Sequence, residues 1–308
     1  MDINRSNMQT LFTGFNLLFQ RGFEAVPNDY LKFTTTVPST TATEAYPWLE
    51  QVGGMREWIG DRQITNLKSQ KLDVKNRSFE KTVAVKRDDI EDDKYGLYNP
   101  LVQDLGQSAG ELWADLATEV LLSAKNAIWI DGKKFFAADR KYSDGKKSSI
   151  INNRATAALS PEAYKAARAE MYKYKNFAGQ SLKVRPRLLL VGPDNEEMAF
   201  EVLKSELTIK AKTDGSTSGV ATTKNAWAGT SEYLVIPELG SEWFLFDVTR
   251  PVKPVAVQQR KVPKLVSQMD ETDDRVFMRG EYLYGADGRG AGFWTIPHLA
   301  YASFPDEA

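Results

Sequence analysis

Apolar positions along the chain follow three regimes: helical spacing near the start and the centre, two-residue alternation between them, and short continuous runs later. Met8, Leu11, Phe12, Phe15, Leu18 and Phe19 recur at three- and four-residue steps and predict an amphipathic helix. Gly14 weakens that helix by about 1 kcal/mol relative to Ala, and Gly22 is placed to end it. The stripe either docks on its own core or lies as an arm on a neighbouring subunit, because a terminal segment stays ordered only when something holds it. Residues 26–50 carry Pro27, Pro38 and Pro47 within a Thr/Ser-rich stretch, which predicts an extended connector.

From Arg56 to Arg87 the period shortens to two. KLDVKNR at 71–77 alternates, and Phe79, Val83 and Val85 share a face of the following run. Asn76, Arg77 and Ser78 are the expected turn of a long hairpin. Its far end, QITNLKSQ, is mostly polar, so the hairpin has too little apolar surface to fold alone and must lie against something else. Asn99-Pro100 then opens a helix that Leu101, Leu105, Leu112, Leu116 and Val120 carry to about Ala127, a length of about 40 Å. Gly106 and Gly110 on it imply close packing or a weak spot.

The second half alternates strands and helices. IWIDGKKFF at 128–136 reads as strand, Asp-Gly turn and strand. Ser160-Pro161-Glu162 starts a helix running to about Tyr174. RPRLLLVGPDNEE is a buried strand, a turn and a helix to about Lys204, with Asp194 as the expected N-cap paired with Glu197. The polar stretch at 212–225 reads as a mobile loop. YLVI, WFLFD, KPVAV and RVFMRGEYLYG are closing strands, and GADGRGAG at 285–292 is a glycine-rich turn or wide connection between strands.

Charge and composition then remove function classes. Lys and Arg number 40 against 41 Asp and Glu, without the basic excess of a dedicated nucleic-acid binder. With no Cys and one His, thiolate and multi-histidine metal sites are excluded. His298 lies among apolar residues, as a core or interface histidine does, and no nucleophile-elbow pattern supplies it with a partner. No GxGxxG or phosphate-loop motif occurs, and the acids of GPDNEE would repel phosphate. A carboxylate hydrolase using Glu196 and Glu197 is a distant alternative, since adjacent helical residues do not face each other. No apolar run is long enough to span a bilayer, and no secretion signal is expected. Locally the charge is uneven: residues 62–87 hold eight basic side chains and two acids, and DDIEDD at 88–93 follows with five acids. The acidic run lacks the spacing of a calcium loop and suits a solvated face or a helix N-terminus.

The order of parts, with the segments EWIGDRQI (57–64), KNRSFEKTVAVKRDDIEDDKYG (75–96), DGKKFF (131–136), LLVGPDNEEMA (189–199) and VFMRGEYLYGADGR (276–289), resembles the Mu-like phage major head subunit (gpT-type) family. The resemblance covers nearly the whole chain. One departure is Asp139-Arg140, where the family pattern carries Asp-His. The resemblance implies an α+β fold, the Hong Kong 97-type major capsid fold. Its parts would be an N-terminal arm and connector (1–55), an E-loop hairpin (56–88), a P domain with a spine helix near 100–127 (89–150), an A domain (151–250) and returning strands (251–308). It implies a structural protein rather than an enzyme, with no cofactor or metal. Hexamers and pentamers would assemble in the host cytoplasm into an icosahedral virion capsid around double-stranded DNA, contacted non-specifically. A portal, a separate scaffolding protein and a head protease are the other expected partners. A prophage-derived or nanocompartment shell with other cargo is the nearest alternative. The E-loop would lie over one neighbour and the N-arm along another. The contact candidates are Met8, Phe12, Phe15 and Phe19 in the arm, Arg62, Lys68, Lys71, Lys75 and Arg77 in the hairpin, and Asp88, Asp89, Glu91, Asp92 and Asp93 in the acidic run.

Overall fold

The computed structural model describes residues 5–47, 71–92, 94–143, 148–176, 179–211, 220–270 and 272–307. Helix α1 (Arg5–Glu24) leads through an extended segment to strands β1 (Thr34–Pro38) and β2 (Thr43–Pro47). Strands β3 (Lys71–Lys75) and β4 (Arg77–Lys86) precede the short α2 (Arg87–Glu91) and the long α3 (Asn99–Leu122). Then come β5 (Arg140–Ser143), β6 (Ser148–Ile151), β7 (Arg154–Ala155), α4 (Pro161–Lys173), β8 (Leu188–Val191) and α5 (Glu196–Leu203). The remaining elements are β9 (Leu207–Ala211), β10 (Val220–Lys224), β11 (Glu232–Val235), β12 (Trp243–Phe246), β13 (Val255–Lys261), β14 (Leu265–Gln268), α6 (Asp274–Arg279), β15 (Glu281–Trp294) and β16 (Ala300–Ser303).

Two five-stranded sheets organise the chain. The first runs β1-β13-β15-β14, with β4 also on β15, and the second runs β11-β8-β12-β16-β7. Helix α3 lies across the first sheet, and α1 packs on α3. The α1–α3 crossing is close because glycines meet backbone. A Cβ on Gly106 would stand 2.1 Å from the Phe19 carbonyl oxygen, and one on Gly22 2.1 Å from that of Gln103. Gly22 therefore does not end α1, which continues to Glu24. Gly106 and Gly110 serve close packing.

GADGRGAG is neither a turn nor a connection. It sits inside β15, a 14-residue strand paired with β4, β13 and β14. Its glycines let α3 settle on the sheet: a Cβ at Gly292 would stand 2.4 Å from the Leu116 carbonyl oxygen. A glycine row reads as a turn in one dimension, and only the helix above it explains it. Likewise RVFMRG is helix α6 ending at Gly280, whose φ is +62°, and the strand starts afterwards.

Other boundaries shift for local reasons. Helix α3 ends at Leu122 and tightens into a 3-10 turn at Ala124–Asn126. Ser160 caps α4, its Oγ accepting from the Ala163 amide at 3.1 Å. Asp194 does not cap α5. Asn195 holds the N-cap position and turns its side chain to the Ser241 carbonyl, and Asp194 sits in a 3-10 turn. Within the expected loop at 212–225, residues 220–224 form β10 against β9, and 212–219 lie outside the described residues. The 128–136 reversal is a single bridge, Ile128 to Lys134, around Gly132 at φ +74°.

The main core joins the two sheets. Phe135 and Phe136, from the end of that reversal, meet Trp294 of the first sheet at ring distances of 4.8 and 5.0 Å. Phe244, Phe246 and Phe304 complete the cluster from the second sheet side. His298 is buried in the 3-10 turn before β16. Burial, then the charges of Arg140 and Arg250, push its pKa down to about 3, so it is a neutral core residue at physiological pH.

Candidate subunit-contact surface

Strands β3 and β4 do not form a hairpin with each other. β3 pairs antiparallel with β2, from Thr43 opposite Lys75 to Pro47 opposite Lys71, and β4 pairs with β15 from Lys86 opposite Glu281 to Arg77 opposite Gly290. The chain runs through Asn76 without reversing. The expected turn at Asn76–Ser78 is thus corrected: the antiparallel pair is β2 with β3, and the chain joining them is 48–70, which lies outside the described residues.

The reason lies in a buried polar node. Asn76 Nδ2 donates to Ser39 Oγ at 2.9 Å and to the Thr41 carbonyl at 2.8 Å, while Gln258 Nε2 donates to Asn76 Oδ1 at 2.7 Å. Tyr46 Oη donates to Gln258 Oε1 at 2.7 Å, and the Tyr46 ring stacks on Phe293 at 5.0 Å. Beside the node, Glu44 accepts from the amides of Thr41 and Thr40 and from the Ser39 hydroxyl. Those donors, the backbone amides first, hold its carboxyl at about 2. An Asn in an alternating run looks like a turn residue. Its partners are up to 182 residues away in sequence, so no local signal marks them.

Two of the three basic residues of β4, Arg77 and Lys81, are matched inside the subunit. Arg77 makes a two-pronged ion pair with Glu119 of α3, one prong at 2.9 Å. Lys81 reaches Asp104 at 2.8 Å and Ser108 at 2.7 Å on the same helix. Lys71 lies 3.5 Å from Asp73, and Lys75 is exposed. Arg62 and Lys68 lie outside the described residues. Between β3 and α3 opens a cleft of about 320 Å³, lined by Leu72, Val74, Leu116, Val120 and Phe293 with Arg77 and Glu119 at its side.

Asp88 and Asp89 of the acidic run lie in the first turn of α2, as a helix N-terminus favours, whereas Asp92 is its C-cap. Ile90 is buried under it. Asp88 is exposed, Asp89 accepts from Tyr98 Oη, Glu91 pairs with Arg87 at 3.0 Å and Asp92 with Lys94 at 2.9 Å. Asp93 lies outside the described residues. The Lys94 hydrogen bond and charge draw the Asp92 carboxyl below its usual range.

For the N-terminal stripe the structure decides between the two alternatives. Met8, Leu11, Phe15 and Phe19 are buried against Val102, Leu105, Val85 and Tyr284 of the same chain, with Phe12 half-buried beside them. The surfaces of Met8, Phe15 and Phe19 are thus covered within the subunit. Glu196 and Glu197 are both exposed at the start of α5. Among the described residues no group of three or more His, Asp or Glu is placed to hold a metal ion, and no helix is long and apolar enough to cross a membrane.

Comparison with known proteins gives a consistent picture. The family model described as Mu-like prophage major head subunit gpT matches residues 8–161, 149–239 and 230–306. The chain is 29% identical over 297 residues to the Mu-like prophage FluMu major head subunit of Haemophilus influenzae, covering 94% of this chain and 72% of that protein. It is 26% identical over 299 residues to the major capsid protein of Escherichia phage Mu, covering 96% and 74%. Among solved structures, the procapsid of bacteriophage JBD30 matches with a TM-score of 0.60 and 27% identity, over 98% of this chain and 76% of that one. The virus-like particle from Pyrococcus furiosus, at 9% identity and a TM-score of 0.53 over 94% and 98%, shares the fold alone.

Proposed function

The chain belongs to the Mu-like prophage major head subunit family and is a phage major capsid protein of the virion shell, with the Hong Kong 97-type fold; from that premise we infer that it assembles as hexamers and pentamers into an icosahedral head around double-stranded DNA. In this reading the α3-bearing sheet is the P domain, the β8 sheet is the A domain, and the β2–β3 pair is the root of the E-loop. A portal, a separate scaffolding protein and a head protease act with it during assembly. The family is structural, and the subunit's work is done by surfaces.

The observation that carries the assembly reading is the β2–β3 root, clamped to the sheet by the Asn76 node. A two-stranded pair is marginal alone, so an anchor of this kind lets a chain segment reach beyond its own subunit while staying aimed. Contact candidates that are exposed on the subunit are Lys71, Lys75, Arg77, Asp88, Glu91 and Asp92, with Phe12 half-buried; Arg62, Lys68 and Asp93 lie outside the described residues.

Electron microscopy of the purified, assembled protein tests this reading. Closed shells with six- and five-fold capsomers are expected, and only amorphous or open aggregates under all conditions would overturn it. Nuclease-protected DNA in particles from producing cells distinguishes a genome head from a shell with other cargo.

A further inference from the structure

A cluster of basic side chains lies away from the hairpin segment. It surrounds a cleft of about 430 Å³ lined by Lys133, Lys134, Asp139, Arg140, Lys141 and Arg154, with Phe136 and Ala137 at its apolar wall. Two of its five cations are paired within the subunit, Arg140 with Asp131 and Arg154 with Glu307, which leaves Lys133, Lys134 and Lys141 beside the single lining carboxylate of Asp139, in a chain whose overall charge is −1.

The fold builds this cluster. The Arg140 side chain is fully buried and ties the reversal together. Its Nη1 donates to Asp131 Oδ2 at 3.0 Å and its Nη2 to the Lys134 carbonyl. That clamp holds the Lys133-Lys134 pair beside Lys141 on β5. The three lysines are exposed, and none forms an ion pair among the described residues. Arg154 closes the far side. One of its nitrogens, Nη2, pairs with Glu307, and its guanidinium lies 4.9 Å from the Phe304 ring centre. The other, Nη1, is buried with no hydrogen-bond partner among the described residues.

We propose that this cleft is a phosphate site for nucleic acid, the point where the inner wall of the shell touches the packaged duplex. The proposal rests on the assembly reading for which wall it occupies, but not for the binding itself. Phosphate fits the remaining charge better than a single protein carboxylate does. Arg154 already holds Glu307, and Arg140 holds Asp131. What remains is a row of point-charge lysines over an open cleft, which suits a repeating backbone charge rather than one directed pair. A few such contacts per subunit give a weak, salt-labile grip, which holds DNA at the wall without tethering it.

The test is fluorescence anisotropy of a short random-sequence DNA duplex with the unassembled full-length subunit across a salt series. Lys133→Gln, Lys134→Gln and Lys141→Gln together should flatten the dependence of log affinity on log salt by nearly 3, about 0.9 per lost phosphate contact. A control removing the same charge elsewhere, Lys165→Gln, Lys173→Gln and Lys204→Gln, should keep the wild-type slope. Circular dichroism melting checks that both variants fold. Equal loss in the two variants, an unchanged slope in the cleft variant, or no duplex binding by the wild type would each overturn the proposal. So would a cleft variant that binds DNA normally and fails to form shells, since the cleft would then hold an acidic segment of a second copy. Electron microscopy of wild-type shells reports separately on assembly.

Discussion

Single atoms set several properties of this subunit. Gly106 has no room for a methyl group, because the Phe19 carbonyl fills the space, whereas nothing lies within 4 Å of a Cβ on Gly14 in α1. Gly106→Ala should destabilise the subunit by about 1 to 3 kcal/mol through overpacking. Gly14→Ala should stabilise it by about 0.5 to 1 kcal/mol through helix propensity. Urea unfolding of the two variants checks both signs. His298 gives a second residue-scale expectation. Its folded pKa of about 3 lies below the ordinary 6.5, so the unfolded chain takes up a proton that the native one refuses. Its stabilising contribution is complete above pH 6.5 and is lost as pH falls toward 3, by at most about 1.4 kcal/mol per pH unit. Glu44, held at about 2, adds acid sensitivity only once pH falls below its ordinary 4.5. Between pH 4.5 and 6.5 the urea midpoint of His298→Gln should therefore vary less with pH than that of the wild type. Equal slopes in that window would remove His298 as the cause.

At the scale of elements, the node around Asn76 decides how the β2–β3 pair sits on the sheet. Asn76→Ala leaves the Gln258 amide buried without its acceptor and frees the Ser39 turn, a cost of about 1 to 3 kcal/mol. The loss should be local. Amide exchange should accelerate across Thr43–Pro47 and Lys71–Lys75 and stay slow in β4 and β15, which are held by their own ten-pair ladder. Uniform acceleration in all four strands would show that the node supports the whole sheet instead. The exposed Arg77–Glu119 and Lys81–Asp104 pairs contribute only about 0 to 1 kcal/mol each. Their larger effect is to pin β4 onto α3, so the charges of Arg77 and Lys81 are spent within the subunit.

For the whole molecule, α1 is part of the fold before it is part of any assembly. Burying Met8, Leu11, Phe15 and Phe19 contributes about 1.5 to 3 kcal/mol per side chain, together comparable with the roughly 5 to 15 kcal/mol by which whole domains are stable. Removing residues 1–22 should accordingly yield an aggregated or unfolded subunit rather than a folded one that fails to assemble. Circular dichroism and sedimentation of the truncated chain distinguish the two, and a monomeric, cooperatively melting product would contradict this view. Periodicity and caps in the sequence by themselves determined α1, α3, α4, the buried β8 strand and the in–out face of β4, because those depend on neighbours within a few residues. Composition determined that no thiolate or histidine-rich chemistry is present. The family was legible in long segments such as RDDIEDDKYG. Only the tertiary structure decided that β3 pairs with β2, that GADGRGAG runs straight under α3, and that the N-terminal stripe closes on its own core. It also decided that Lys133, Lys134, Lys141 and Arg154 gather at one cleft. In each case the partner is distant in sequence: strand ladders, glycine contacts and charge clusters are properties of what lies opposite, and nothing near a residue in the chain records it.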